Sequence, residues 1–519
     1  MFWATLIGLI CLKILLMPSY TSTDFEVHRN WLAITYSLPM KQWYTENHSN
    51  WTLDYPPFFA LFEYLLSLVA YYFDPKMLDV NNLNYKSQNT LLFQRFSVIV
   101  MDLFYAYGVK ECGRYFSDSK LRKSSKWKSQ WNSPSAILII LLLTNATLLL
   151  IDHIHFQYNG FLFGILLISV VRMLEDKKFE SAVWFLILLN LKHIFMYMAP
   201  AYFIYLLRNY CFLGNSVSRN TFSMKNCVKL GLAVVTVFMI SFGPFILYGE
   251  FFQVLSRLFP FKRGLSHSYW APNFWALYNG LDRVLFFLGK KLGYSMKGQS
   301  GGMTAGLVQQ YEHSVLPSIY PSYTFIITFI TIIPALWKLW LNPGNPLHFV
   351  RTLIICAFSS FSFGWHVHEK AILLPVIPLT LMSVIWRKEA VIFLILSTVG
   401  HYSVFPLLYE QFELVTKVSI TLIYSVYAFC NLPQLYNVKR SSFSFSLLNH
   451  FETLYIFSLS LLFLYEHCFQ YMLGLDKKYP FLPLMFTSVH NSCGVIYCYV
   501  AYYWYYLKLQ DSNHKRKAY

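Results

Sequence analysis

FFALFEYLLSLVAYYF, residues 58–73, is the stretch on which the threading of the whole chain turns. It is apolar but short for a crossing, which takes about 20 residues of helix, and it carries a carboxylate, Glu63. The run at 91–109 is a good span. Behind it, residues 110–128 gather Arg114, Lys120, Arg122, Lys123, Lys126 and Lys128. Basic loops between spans lie on the cytosolic side. If residues 58–73 also crossed, that basic loop would face the wrong way. The run is therefore assigned as an interfacial or re-entrant helix that belongs to the polar stretch before it, residues 21–57.

Outward from that choice the alternation continues. The first apolar run, 2–17, lacks a basic n-region and a clear small-residue cleavage site, so it is read as an uncleaved span. Runs at 136–151 and 161–174 follow. The run at 182–207 is broken by Lys192 and His193 and reads as two short helices. After 230–248 comes a long polar segment, and further runs lie at 323–340, 349–363, 371–386, 390–400, 414–432, 451–465 and 483–506. The predicted fold class is an all-α polytopic membrane protein with about 14 transmembrane helices and both termini cytosolic. Residues 1–320 are expected to form the catalytic membrane module with its luminal loops. Residues 321–519 are expected to form a C-terminal transmembrane module.

Composition agrees. The chain of 519 residues is 56% hydrophobic and 13% charged, against about 25% charged in soluble domains. Its mean hydropathy is +0.41. Lipid leaves backbone polar groups unsatisfied, so the spans are helices, and uninterrupted apolar runs do not suit β-barrel strands. The net charge of +17 is spread between spans without a long basic tract, which fits loop charge and excludes a nucleic-acid partner. The nine cysteines show no CxxC spacing and read as small core residues.

Four polar clusters interrupt the apolar runs. In the first, Thr23-Asp24-Phe25-Glu26 has the S/T-x-x-D/E spacing of a capping box, with Asp24 favourable in the first turn. Capping does not need Asp24, however. Helical spacing puts Asp24, Val27, His28 and Trp31 on one face, with Arg29 beside them, and a carboxylate, an imidazole and an indole together suit a sugar. Asp54 precedes Tyr55-Pro56-Pro57, where proline fixes the backbone; it is either an orienting group or a turn residue. The second cluster, Asp152-His153-Ile154-His155-Phe156-Gln157-Tyr158-Asn159-Gly160, reads as a turn dense in hydrogen-bonding groups between two spans. DHIHF does not match HExxH, so a zinc-protease site has little support. The third, around Arg257, Lys262 and Arg263, is either a sign of reversed threading or a phosphate-binding pair. The fourth, Trp365-His366-Val367-His368-Glu369-Lys370, is either a membrane-edge ion pair or a place where His368 and Lys370 neutralise a phosphate. By the charge accounting all four face one side.

DFEVHRNW, LDYPPFFA, DHIHFQYNG, RLFPFKRG, YWAPNFWALYN and FGWHVHEKAILL together resemble the endoplasmic-reticulum α-1,3-glucosyltransferases that finish the lipid-linked N-glycan precursor, from the first span to beyond Lys370. HxYWAPNFWALYN looks like the branch that adds the second glucose. The resemblance implies a GT-C fold in the ER membrane with a luminal active site. It implies dolichyl-phosphate glucose as donor and a monoglucosylated high-mannose oligosaccharide on dolichyl pyrophosphate as acceptor. It carries the catalytic acid over to Asp24 and sets residues 367–370 near the donor phosphate. A β-linked donor giving an α-linked product requires inversion by a single displacement, with one carboxylate as base. The phosphate leaving group needs only cations to stabilise it, so no cofactor is expected and transfer is expected to be metal-independent. The rivals are the sister enzyme adding the first glucose and a lipid-linked sugar transporter or flippase, which should show repeated halves. Asn47-His48-Ser49 and Asn50-Trp51-Thr52 are candidate glycosylation sites on the predicted luminal side. The tail Lys515-Arg516-Lys517-Ala518-Tyr519 looks like a dilysine retrieval signal.

Overall fold

The computed structural model describes residues 1–118, 130–213, 221–259, 261, 263–267, 269–293, 313–438 and 444–509. Lys262, the basic residues between 120 and 128 and the dilysine-like tail lie outside these. The described chain is helical, with one two-residue antiparallel pair, Phe212–Leu213 against Thr221–Phe222. Among the described residues six helices are long and apolar enough to cross a membrane: Pro134–Phe156, Met224–Leu247, Pro321–Leu341, Pro346–Phe363, Arg387–Leu407 and Glu413–Leu435. That is fewer than the expected fourteen. Phe2–Leu15 and Asn159–Leu174 fall short in length, as does Pro57–Ala70, the helix assigned to the interface. The pair around Lys192 is broken, as expected, into Lys178–Leu191, a 3-10 turn and Ala199–Leu206.

The chain divides into two compact units. One comprises 1–196, 228–263 and 380–459; the other comprises 197–227, 264–379 and 460–519. This differs from a single cut near residue 320: the described residues among 264–319 fall in one unit with the spans that follow, and the described residues among 380–459 fall in the first unit.

In the first unit, α1 (Phe2–Leu15), α2 (Thr23–Ser37), α3 (Pro57–Ala70), α4 (Gln88–Asp118), α5 (Pro134–Leu143), α6 (Asn159–Leu174) and α7 (Lys178–Leu191) carry the opening clusters. α4 and α6 touch backbone to backbone. A Cβ on Gly164 would lie 2.6 Å from the Tyr105 nitrogen, and one on Gly108 would lie 2.7 Å from the Gly164 oxygen. Such close approach is how helices associate where lipid gives no hydrophobic drive. Gly160, at the head of α6, is confined too, since a Cβ there would collide with Asp102 Oδ1.

After α5 the chain re-enters helix at Asn145, whose side chain caps the Leu148 nitrogen, and widens into a π-helical turn over Leu149–Phe156. This corrects the reading of the second cluster as a turn. Asp152, His153 and His155 sit on helix, and the chain turns only at Gln157 and Tyr158. Arg95, buried on α4, donates to the carbonyls of His153 and Ile154 at 2.8 and 2.9 Å and to that of Tyr20 at 2.8 Å. It thereby meets the terminal carbonyls that any helix end leaves unpaired. Phe156 closes the turn at φ 86°, and its ring is held by Phe25, His28 and Tyr158. A bulky residue in that region is retained only where its surroundings fix it.

In the second unit Pro346–Phe363 is buried nearly throughout. Its neighbours reach it by hydroxyls and amides. Thr352 pairs with the Tyr506 hydroxyl at 3.0 Å, Ser359 with the Tyr499 hydroxyl at 2.8 Å, and Asn273 donates to the Phe361 carbonyl at 3.1 Å. Trp275 Nε1 donates to the Gly364 carbonyl at 3.1 Å, tying the YWAPNFWALYN segment to the end of that helix.

Candidate functional site

The start of α2 is set differently from a capping box. Ser22, not Thr23, is the N-cap residue; its hydroxyl donates to the His155 carbonyl and accepts no capping bond from its own helix. Glu26 does not reach back. It forms a two-pronged pair with Arg29 at 2.7 and 2.9 Å and accepts from the Asn84 nitrogen at 2.9 Å. The opening of α2 is therefore pinned from outside, by the π-helical turn and by the loop before α4. That leaves Asp24 in its first turn, where a carboxylate is favoured.

Asp24 meets the second cluster. Gln157 Nε2 donates to Asp24 Oδ2 at 2.6 Å, and His155 Nε2 lies 3.3 Å from the same oxygen. Behind them the polar groups continue. Asn159 Nδ2 donates to Gln157 Oε1 at 2.7 Å and to Asp152 at 2.9 Å, and Lys192 Nζ donates to Asn159 Oδ1 at 3.1 Å. The chain of donors fixes the Gln157 amide with its NH₂ toward the carboxylate. Asp24 keeps a fifth of its side-chain surface exposed, 20%, which leaves room for a hydroxyl to approach.

Asp54 lies within electrostatic reach of Asp24 and Lys192. Arg263 Nη2 is 3.7 Å from Asp54 Oδ2, and the Lys192 ammonium stands 4.9 Å over the ring of Tyr55. Burial holds the Asp54 carboxyl above the usual carboxylate range, Arg263 opposes that, and Asp24 adds to it. Trp31 backs Tyr55, with ring centroids 4.9 Å apart, and donates through Nε1 to the Thr52 carbonyl at 3.2 Å.

Other residues named from the sequence stand apart from Asp24. His28 is buried against Glu63 at 2.6 Å, Arg29 is sealed by Glu26 and the Met77 carbonyl, and the Tyr158 hydroxyl pairs with Ser97. The face expected to combine Asp24, His28 and Trp31 is thus divided: only its first residue reaches the polar opening. The rest is packed because α3 and the π-helical turn cover it. His153 turns away, into a buried triad with Asp102 at 2.7 Å and, through Asp102, Lys13 at 2.5 Å. Asn47 and Asn50 are exposed.

The second unit holds its own cluster. Residues 264–267 run alongside 366–368: the His366 nitrogen donates to the Leu265 carbonyl at 2.9 Å, its Nδ1 pairs with the Gly264 carbonyl at 2.8 Å, and Ser266 bridges Val367. This brings His267 against His368, with ring centroids 3.9 Å apart. The buried Glu369 carboxylate lies 3.7 Å from His368 and 3.9 Å from His267. Burial depresses the His267 imidazole to about 3, with the neighbouring His368 acting in the same sense and Glu369 opposing. His267, His368 and Glu369 are the group among the described residues whose ligand atoms converge closely enough to hold a cation. Lys370 is half-buried beside them.

Sequence reasoning did not name Lys192, Tyr20 or Glu63 as parts of a site. A lysine and a glutamate inside apolar runs were the available signal, since ionisable groups in such runs are rare and seldom incidental. Tyr20 carried no signal in a chain with 39 tyrosines.

A sequence model of the ALG6, ALG8 glycosyltransferase family matches residues 9–502. The dolichyl pyrophosphate Glc1Man9GlcNAc2 alpha-1,3-glucosyltransferase of Mus musculus is 50% identical over 511 residues, covering 97% of this chain and 95% of its own. The protein of the same name from Bos taurus is 50% identical over 509 residues, with the same coverage. That from Schizosaccharomyces pombe is 44% identical over 504 residues, covering 95% of this chain and 96% of its own.

Proposed function

This chain belongs to the ALG6, ALG8 glycosyltransferase family, and from that membership we propose that it is the α-1,3-glucosyltransferase that adds the second glucose to the lipid-linked N-glycan precursor. The donor is dolichyl-phosphate glucose, and the acceptor is Glc1Man9GlcNAc2 on dolichyl pyrophosphate. The reading rests on one observation above others: relatives 50% identical along 97% of this chain bear that acceptor in their names. We assign the chain a GT-C arrangement in the endoplasmic-reticulum membrane, with about 14 helices entering the bilayer, some short or broken, and both termini cytosolic. The Asp24 cluster, the His267–Lys370 cluster and the exposed sequons Asn47 and Asn50 then belong to the lumen.

Asp24 is the base. As the acceptor hydroxyl attacks C1 of the glucose, Asp24 takes its proton, and the C1–O bond to dolichyl phosphate breaks on the opposite face. Gln157 orients the Asp24 carboxylate, and Asp54 and Tyr55 offer polar and aromatic surface to sugar. Cationic groups are expected to stabilise the phosphate leaving group as it departs, and within the second unit His368 and Lys370 are the residues proposed to bind phosphate. Transfer is expected to proceed without a metal. If EDTA removed activity and a divalent cation restored it, His267, His368 and Glu369 would be the place to look.

The decisive assay uses purified protein, dolichyl-phosphate glucose and three acceptors carrying no, one or two glucoses. Transfer to the monoglucosylated acceptor alone is expected. Transfer only to the unglucosylated one would reassign the chain to the first step, and transfer to none of them would leave the transporter reading standing.

A further inference from the structure

Glu369 is a buried carboxylate, 1% exposed, and among the described residues neither of its oxygens has a hydrogen-bond partner. Taking a carboxylate out of water without donors is costly, so a cation is expected to meet it. Two imidazole nitrogens face it: His368 Nδ1 stands 3.7 Å from one oxygen and His267 Nδ1 stands 3.9 Å from the other. A hydrogen bond would close to about 2.7–3.2 Å. Ligand atoms around one tetrahedral zinc, each about 2.0–2.2 Å from it, stand about 3.4 Å apart. The observed separations fall nearer to the edges of a coordination shell than to a hydrogen-bonded pair. One ligand atom from each of the three residues lies within 4.8 Å of the other two.

The backbone holds these donors in place. The His366 nitrogen on the Leu265 carbonyl and the bridge between Ser266 and Val367 fix the two segments against each other. The His267 and His368 side chains keep 20% and 41% of their surface exposed. The carboxylate is therefore the floor, and an ion enters on the side of the imidazoles, where water completes its shell.

We propose that His267, His368 and Glu369 form a binding site for a divalent transition metal of the zinc class, and that the ion clips residues 264–267 to residues 366–369. Two imidazoles with one carboxylate are a donor set that suits zinc and its neighbours. Mg²⁺ and Ca²⁺ call for oxygen donors and more negative charge than one carboxylate supplies. Lys370, within electrostatic reach of His267, disfavours them further. Coordination through Nδ1 leaves His368 its Nε2–H as a donor, so the ion and a phosphate do not compete for one nitrogen. No step of transfer runs through the ion. It stabilises the paired segments, as any ligand that binds only the folded protein does.

The test uses the full-length protein, free of affinity tags, in detergent, stripped with EDTA and then titrated with Zn²⁺ by calorimetry. One zinc per chain is expected, with a melting temperature that rises as zinc is added. Glu369→Gln keeps the shape and removes the charge. It should weaken zinc binding about a hundredfold or more, since losing even a hydrogen-bond partner of a metal ligand costs about 10–100-fold. His267→Ala removes one donor, should act in the same direction, and serves if Glu369→Gln does not fold. A large excess of Mg²⁺ should leave the zinc in place. Absence of zinc binding by the unaltered protein overturns the proposal. Zinc held by either folded variant as tightly as by the parent also overturns it, because the ion then sits elsewhere. Displacement by Mg²⁺ overturns the zinc-class assignment. Transfer to the monoglucosylated acceptor is read separately, so a failure of zinc binding leaves the second-glucose reading untouched.

Discussion

His153 and His155 stand two residues apart on one π-helical turn and serve opposite surroundings. His153 faces inward to Asp102 and, through it, Lys13, in a triad with almost no exposed surface. His155 faces Asp24, which remains partly open and has the donor chain of Gln157, Asn159 and Lys192 behind it. In sequence the two histidines are interchangeable polar residues of one cluster. The difference teaches that a single turn both anchors itself and presents the site, with Arg95 clamping its carbonyls between the two.

If the sealed side is the anchor, damage there should appear as lost stability. Asp102→Ala leaves Lys13 and His153 buried without their carboxylate, and removing one member of a buried pair costs about 3–5 kcal/mol. Thermal unfolding in detergent should show a large fall in melting temperature. Replacing Lys13 and Asp102 together by Met and Leu should recover most of it. An Asp102→Ala protein as stable as the parent would break the comparison.

The open side should respond in rate instead. Gln157→Ala removes a hydrogen bond to a charged group, worth about 1.5–3 kcal/mol, so transfer should fall roughly tenfold to hundredfold with little change in melting temperature. A stability loss matching that of Asp102→Ala would mean that both sides of the turn are structural.

The smallest effect is expected at Asp54. Its carboxyl is held above the usual range by burial, against the opposing charge of Arg263, so folding favours its neutral form relative to the unfolded chain. The unfolded chain ionises first as pH rises, so Asp54 draws stability away between its unfolded value and its raised folded one, and the deficit persists above both. Asp54→Asn should therefore reduce the loss of melting temperature between pH 4 and pH 7. A wider gap in the variant would show that Asp54 is held as a stabilising carboxylate.

Much of this arrangement was legible in the sequence. Apolar runs gave the helices, and Lys192 and His193 marked the break in the pair that carries them. The acids and imidazoles of the first, second and fourth clusters stood out because ionisable groups are scarce in such a chain. What the sequence could not carry was direction and partnership. The π-helical turn has no signature in apolar spacing, so nothing separated His153 from His155. Lys13, Asp102 and His153 lie on three helices far apart in the chain, and their pairing exists only once α1 and α4 pack. The capping box failed in part for a related reason: its bonds lost to Arg29, one turn along the same helix, and to Asn84 and the π-helical turn, which long-range packing brought near.

The most direct test of the account is the rate of glucose transfer by Asp24→Asn, measured with dolichyl-phosphate glucose and the monoglucosylated acceptor on protein shown by its melting temperature to be folded. Asparagine keeps the shape and the Gln157 contact region but cannot take a proton, so transfer should fall by about a thousandfold or more. Turnover near that of the unaltered enzyme would contradict the assignment and move the search for the base to Asp54.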